Sequence, residues 1–456
     1  MKLTGAKSMD MTSGVIWRQL VAFAVPLLIG NILQQLYNTV DSVTVGRFVS
    51  KQALAAVTST DTLINIVVGL FTGISLGATI VISRYFGAKD DEKLHDAVHT
   101  TISLTLVMGV AITAVGVFCC PIFLKLMSTT EDVMGDAVTY LRIYFSGALG
   151  LVMYNMLSGI LRAVSDSKRP LIALVITSFV NIVLDVLLVV VFKMGVAGVA
   201  IATVFSQFAS AVYLLLLVLR TEEGYRLILR DIRVDGQIAG DIIIIGLPYG
   251  IQRCLVSLSN MLVIAKINSF GSGATAAWGV YRKIDELFLN GIHSLSSATS
   301  TFTSQNVGAR QEERIRKGLG TSLVICIGFT VVLGVLVIGF RSPLVMLFNT
   351  SPDVVQYGSE VLLQLVPFVF FLCISQISAG ELQGRGDSVG PMLISLTANV
   401  IIRQIYLNTI WRRVRSFSIV TAAYPVGWIS GAVIMAAYLW IKRKHRSSDP
   451  RVTANR

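Results

Sequence analysis

Twelve stretches of this chain are each long and apolar enough to cross a lipid bilayer, and that fact constrains the fold more than any other. A hydrocarbon core about 30 Å thick takes about 20 residues of helix. The stretches run roughly over 15–40, 53–83, 97–121, 133–161, 170–192, 195–219, 238–267, 274–304, 318–340, 354–383, 390–410 and 418–441. In lipid every backbone N–H and C=O must find its partner within the protein, so each stretch is expected to be a helix. The fold class is therefore an all-α polytopic membrane protein with twelve transmembrane helices. Several stretches exceed the minimum, which implies tilt or extension into water. Charged residues make up only 14% of the chain, against about 25% in soluble proteins. That deficit excludes a soluble enzyme, a nucleic-acid-binding domain and a disordered regulator. Met1–Thr12 is polar and the first apolar run is too long for a signal-peptide core, so no cleaved leader is expected.

The net charge is +12. In a soluble chain this would point to nucleic acid. Here the basic residues lie mostly in short loops, where they set topology and meet anionic headgroups. An even number of spans puts both termini on one side. The loops and ends of that side carry 24 Lys and Arg, against 9 on the other. The excess assigns both termini to the cytoplasm, in the cytoplasmic membrane. The cluster Trp411-Arg412-Arg413-Val414-Arg415 falls on the outer side, against the rule. All five cysteines (Cys119, Cys120, Cys254, Cys326, Cys373) sit in apolar stretches without metal-ligand spacing and read as packing residues.

The two halves resemble each other at a shift of 221–222 residues. Pro26 meets Pro248, Asn38 meets Asn260, and Ser83–Lys89 meets Ser304–Arg310. Further along, Asp166-Ser167 meets Asp387-Ser388, and Pro170 meets Pro391. A shift of six spans keeps the orientation, so the repeat is parallel, about an axis along the membrane normal. The expected domains are an N-lobe (1–219), a charged cytoplasmic linker (220–237), a C-lobe (238–441) and a basic cytoplasmic tail (442–456). Two six-helix lobes around a central cavity suit a transporter that opens alternately to either side. A channel would more often be a ring of subunits. An enzyme would need a catalytic constellation, and none is evident. His95 and His99 are spaced i,i+4 but lack HExxH and a third ligand, and read as solvated surface rather than a zinc site.

Several segments resemble the multidrug and toxic compound extrusion (MATE) family. They are Gln34–Asp41 followed by Val45-Gly46-Arg47, Leu161–Pro170, Asn181–Asp185 and Phe302–Ala309. The resemblance covers roughly residues 15–440. It implies a monomeric antiporter without cofactors, in which an H⁺ or Na⁺ gradient drives export of organic compounds. The broader superfamily also holds flippases for lipid-linked cell-envelope precursors, which is the alternative function. Those more often have fourteen spans.

A charge in the bilayer costs at least about 2.5–3.5 kcal/mol, so each one needs a reason. In the N-lobe the acids are Asp41 and Asp185. Asn181 and Asp185 are i,i+4 and share a helix face. At the helical rise Asp185 lies about 22 Å above the cytoplasmic end of its span, and Thr203 about 12 Å below the outer end of the next. Asp41 falls at the same level. Two carboxylates, an amide and a hydroxyl together suit a proton relay or an oxygen-ligand cation site. The family's N-lobe cation site matches Asp41, Asn181, Asp185 and Thr203 residue by residue. The repeat equivalents of the acids and the amide are Val263, Tyr406 and Ile402, which points to a role specific to the N-lobe.

The C-lobe spans carry Arg253, Arg282, Lys283, Asp285, Glu286 and Arg403. Arg282 is expected to pair with Glu286 or Asp285. The wider set, with Gln34, Tyr37, Asn38 and Asn260, forms the candidate substrate surface, and its cationic excess leaves room for anionic or zwitterionic compounds. Some family members place an acidic site in spans 7 and 10; here those spans offer only Glu381, near a cytoplasmic end. Pro26 and Pro248 interrupt the backbone ladders of spans 1 and 7 and are candidate hinges.

Overall fold

The computed structural model describes residues 9–127, 129–411 and 413–447. Lys2, Lys7, Arg412 and the tail beyond residue 447 lie outside them. Among the described residues there is no strand. The helices are α1 (Ile16–Phe48), α2 (Lys51–Ala88), α3 (Asp91–Leu126), α4 (Glu131–Ser146), α5 (Ala148–Ala163), α6 (Lys168–Asp185) and α7 (Gly195–Arg220). After the linker come α8 (Gly236–Asn268), α9 (Ser272–Gly308), α10 (Glu312–Gly339), α11 (Arg341–Met346), α12 (Pro352–Leu365) and α13 (Val369–Gly384). The last are α14 (Val389–Leu396), α15 (Arg403–Thr409), α16 (Phe417–Thr421) and α17 (Ala423–Ser447).

Every one of the twelve apolar stretches is helical. Among the described residues nine helices are long and apolar enough to cross a membrane, or ten if the bent pair α4–α5 is one span. Two stretches fall outside that test for local reasons. The helix α9 is rich in Ser and Thr and carries Arg282, Lys283, Asp285 and Glu286. The run 389–409 is helical throughout, through a π-helix, Thr397–Ile402, between α14 and α15, and carries Asn399, Arg403 and Gln404. Apolar side chains such as Val107, Val110 and Phe118 on α3, and Val324, Val331 and Val335 on α10, are exposed. Such a surface is tolerable only against lipid. The protein is a multi-pass membrane protein.

The repeat is visible atom by atom. Ser75 donates to the Asn155 carbonyl at 2.8 Å, and its equivalent Ser296 donates to the Gln376 carbonyl at 2.8 Å. A Cβ on Gly159 would meet Ser75 Oγ at 2.7 Å, and one on Gly380 would meet Ser296 Oγ at 2.8 Å. Asp166 accepts from the Arg169 amide at 3.1 Å, as Asp387 does from the Gly390 amide at 3.0 Å. Ser165 and Gly386, also equivalent, both take the left-handed conformation that lets the chain turn between helices.

The compact units do not follow the sequence halves. One contains Val25–Gly250, Ser304–Arg310 and the described N-terminal residues up to Ser13. The other contains Gly14–Ala24, Ile251–Thr303 and the described chain from Gln311 onward. In the first unit the last turn of α9 is knitted in by polar contacts: Ser304 donates to the Ile80 carbonyl at 2.6 Å and Gln305 Nε2 to the Ala163 carbonyl at 2.8 Å. Gln305 Oε1 also accepts from the Met11 amide at 3.0 Å. Backbones touch directly where side chains are absent: a Cβ on Gly87 would lie 2.0 Å from the Gln305 carbonyl oxygen, and one on Gly308 would lie 2.0 Å from that of Arg84.

The linker residues 221–235 pack on α3. His99 is fully buried, contrary to the expected solvated surface. Its Nε2 accepts from the Ile228 amide at 3.0 Å, which places the proton on Nδ1, 2.7 Å from the His95 carbonyl. His95, His99 and Asp231 come within 4.8 Å of one another, but both His99 nitrogens are engaged and none is left for a metal. Arg233 closes the clasp with a 2.6 Å bond to Asp96.

Candidate functional site

In the first unit, α1 extends to Phe48, so Asp41 lies within the helix rather than closing it. Asp185 is the last residue of α6, where a π-helix (Val186–Val191) begins. A π-turn offsets the register of the side chains around it and is frequent at functional sites. The structure brings Asp41 and Asp185 together as neighbours. Asp185 is fully buried, and Asn181, one turn back on the same face, nearly so. Apart from the two carboxyl groups facing each other, neither carboxylate oxygen of Asp185, nor Asp41 Oδ1, nor either polar atom of Asn181 has a hydrogen-bond partner. Thr203 is buried on α7 and donates to the Val199 carbonyl at 3.0 Å, which leaves its lone pairs free.

Such an arrangement is unstable as two bare carboxylates. An ion buried without compensation costs several kcal/mol, and two like charges side by side cannot both stay ionised alone. A proton on one acid, or a cation between them, relieves both problems. The unpartnered oxygens of Asp41, Asn181 and Asp185 are the hard ligands that a Na⁺ ion takes. Tyr37, one turn before Asp41, neighbours both Asp41 and Tyr144. Gln34 and Asn38 are exposed on α1.

The second unit is built on the opposite charge. Arg403 opens α15 directly after the π-helix Thr397–Ile402. It is only 2% exposed, and its Nε and Nη2 have no partner. Its guanidinium lies 5.1 Å from the centre of the Tyr424 ring. A cation–π contact supplies about 0.5–2 kcal/mol, less than the several kcal/mol lost by burying an ion. Tyr424 belongs to an aromatic cluster with Trp278 at 5.1 Å and Trp428 at 6.0 Å, and Trp278 continues to Tyr281 at 4.8 Å.

The family model MatE matches residues 26–187 and 248–408, two copies that begin at the repeated prolines. The chain belongs to the MatE family. Two relatives from Bacillus subtilis (strain 168) are described as probable multidrug resistance proteins. One, YoeA, is 30% identical over 390 residues, 84% of each chain; the other, YpnP, is 27% identical over 399 residues, 87% of this chain and 89% of its own. A MATE family transporter of the MOP superfamily, solved in an outward-facing conformation, superposes with a TM-score of 0.91 at 22% identity, over 97% of this chain and 99% of that one. The MatE chain is thus a membrane transporter rather than an enzyme, with the two repeated lobes of that fold.

One expectation for the second unit of this MatE protein needs correction. No ion pair forms between Arg282 and Glu286 or Asp285; Tyr281, a turn ahead, donates its hydroxyl to Asp285 at 3.1 Å instead, and Arg282 is exposed. Glu381 is not a free acid. It holds Arg385 at 2.6 Å, and Arg385 in turn holds Glu312 at 2.8 Å. Lys283 and Arg253 are exposed, Glu286 is half-buried, and Asn260 keeps a buried Oδ1 without a partner. The cluster around Trp411 gathers with the end of α8: Lys266 lies 4.1 Å from the Trp411 ring centre and Arg415 5.3 Å. Sequence reading missed the aromatic cluster. Its signal was present in the i,i+4 pair Tyr424 and Trp428, but such spacing is also that of ordinary helix packing.

Proposed function

We propose that the chain is a cation-coupled antiporter that exports organic compounds, drugs among them, across the cytoplasmic membrane by alternating access, driven by H⁺ or Na⁺ and working as a monomer with both termini in the cytoplasm. Asp41 and Asp185 are the coupling residues, with Asn181 and Thr203 completing the site. The observation that carries this reading is the buried, unpartnered carboxylate pair, which the second repeat lacks. An intramembrane acid with no structural partner is explained by an ion that comes and goes. The description of the relatives as probable multidrug resistance proteins supports organic compounds as cargo. Pro26 and Pro248 are proposed hinges: the division into compact units falls at Ala24/Val25 and at Gly250/Ile251, within two residues of each.

The test is transport of ethidium in proteoliposomes, with a Na⁺ or pH gradient imposed one at a time. Wild-type protein should export the dye under at least one gradient, and Asp185→Asn should reduce that export to background while remaining folded. Undiminished gradient-driven export by Asp185→Asn would remove the acid pair from the mechanism. Dye export also separates this function from the flippase alternative, which predicts loss of a cell-envelope precursor instead.

A further inference from the structure

We propose that the second unit holds a binding site for an aromatic organic anion, in which Arg403 takes the acidic group and the Tyr424–Trp278 cluster takes the ring. The atoms of Arg403 and of the Tyr424–Trp278 cluster that are left without partners are donors only: Arg403 Nε and Nη2, and Trp278 Nε1. A ligand that satisfies them must bring lone pairs. A carboxylate or phosphate brings two to one guanidinium edge in fork geometry, which a single neutral carbonyl does not.

Charge points the same way. The ionised groups that act on Tyr424 are Arg403, Asp285 and Arg282, two cations and one acid. Asp285 already accepts from Tyr281. Glu286, half-buried, acts on Asp285 and balances Arg282, but Arg403 has no ion-pair partner among the described residues, so an anionic group is favoured beside it and a cationic drug is repelled by it. The aromatic faces supply stacking for a flat ring. The side open to a ligand is that of half-buried Tyr424 and exposed Arg282, while Trp278, Tyr281 and Arg403 form the buried floor.

The position on the scaffold adds to the argument. Tyr424 occupies, in the second repeat, the place that Thr203 holds in the first. Arg403 itself corresponds to Ile182, an apolar residue, so its guanidinium is specific to the second repeat. As a substrate site this proposal rests on the reading of the chain as an exporter of organic compounds; as a binding site it does not, and the experiment measures binding without a gradient.

Riboflavin and flavin mononucleotide share one flat ring and differ by a phosphate, so the pair isolates the acidic group. Both are titrated against the purified protein in lipid nanodiscs, with quenching of flavin fluorescence as the readout. The mononucleotide should bind at least about tenfold more tightly, the least that a charge-assisted hydrogen bond supplies. Arg403→Gln should abolish that preference, and Arg403→Lys should keep part of it. Asp185→Asn should bind the mononucleotide as wild type does even where its export is lost, which separates failure of the coupling reading from failure of this one. Equal binding of the two flavins by wild-type protein overturns the proposal whether or not Arg403→Gln folds. So does a preference that survives in Arg403→Gln.

Discussion

The two repeats share their scaffold and differ in the sign of what they bury. Ser75 and Ser296 make the same bond, Asp166 and Asp387 cap the same turn, and Lys89 and Arg310 share the same left-handed conformation. On this common frame the first repeat buries Asp41 and Asp185 without partners, and the second buries Arg403. Each key charge abuts a π-helix, but on opposite flanks: Asp185 precedes one and Arg403 follows the other. The difference teaches that duplication fixed the backbone contacts while the charged positions diverged.

The sharpest way to break this comparison is to move a charge between repeats. Asp185→Asn and Asp41→Asn should each drop gradient-driven dye export to background. Adding Tyr406→Asp to Asp185→Asn places an acid at the equivalent position of the second repeat and should restore nothing, because Ile402 and Val263 stand there in place of Asn181 and Asp41. Recovery of coupled export in the double variant would show that either repeat can serve and that the first is not specialised.

A second test compares an ion pair with the apolar pair that replaces it in the other repeat. Glu381 and Arg385 are almost fully buried, and their equivalents are Ile160 and Val164. Glu381→Ala takes from the Arg385 guanidinium its buried carboxylate partner, and removing one partner of a buried pair costs about 3–5 kcal/mol. Replacing both, Glu381→Ile with Arg385→Val, should cost much less, since a buried pair is often matched by apolar groups of similar volume. Thermal unfolding in detergent reads both. A double variant as unstable as Glu381→Ala would mean that the second repeat depends on this ion pair where the first does not.

The scaffold was largely legible in the sequence, and the chemistry only in part. The spans could be read because hydrocarbon leaves no alternative to a closed backbone. The repeat could be read because turns such as 165–167 and 386–388 need particular residues. The two carboxylates could be read because an acid in a span has no ordinary explanation. The hidden features depend on neighbours distant in sequence or on local register. Gly147, where α4 bends into α5, has no side chain to mark it, and the π-helices follow stretches as apolar as any other span. Arg282 has two acids at helical spacing, yet its side chain is exposed and pairs with neither. Arg403 and Tyr424 are 21 positions apart and meet only through the packing of α15 on α17.

Glycines at the repeat's close contact offer a smaller effect. Gly87→Ala and Gly308→Ala each put a methyl group 2.0 Å from a backbone oxygen, so the helices must separate. Overpacking of this kind costs about 1–3 kcal/mol. Equal losses of melting temperature in the two variants would confirm that the repeat contact is symmetric in energy as in geometry. Gly279→Ala, with nothing within 4 Å of the added methyl, serves as the control and should be neutral or stabilising by about 0.5–1 kcal/mol. A melting point for Gly279→Ala as low as the other two would mean that the loss is not steric.

The smallest expected effect is also the most direct test of the shared scaffold. Ser75→Ala removes a 2.8 Å bond to the Asn155 carbonyl, and Ser296→Ala removes its 2.8 Å equivalent to the Gln376 carbonyl. Each serine also sits against a glycine, Gly159 or Gly380, so alanine fits without strain and the bond alone is lost. A hydrogen bond of this type contributes about 0.5–1.5 kcal/mol. The two losses should agree with each other and add in the double variant, since the bonds share no partner. In the first repeat Ser75 has a further neighbour, the Arg162 side chain at 3.4 Å, a long contact that should add little. A loss at Ser75 well above that at Ser296 would assign real weight to Arg162 and show that the repeats, alike in backbone, differ in what braces them.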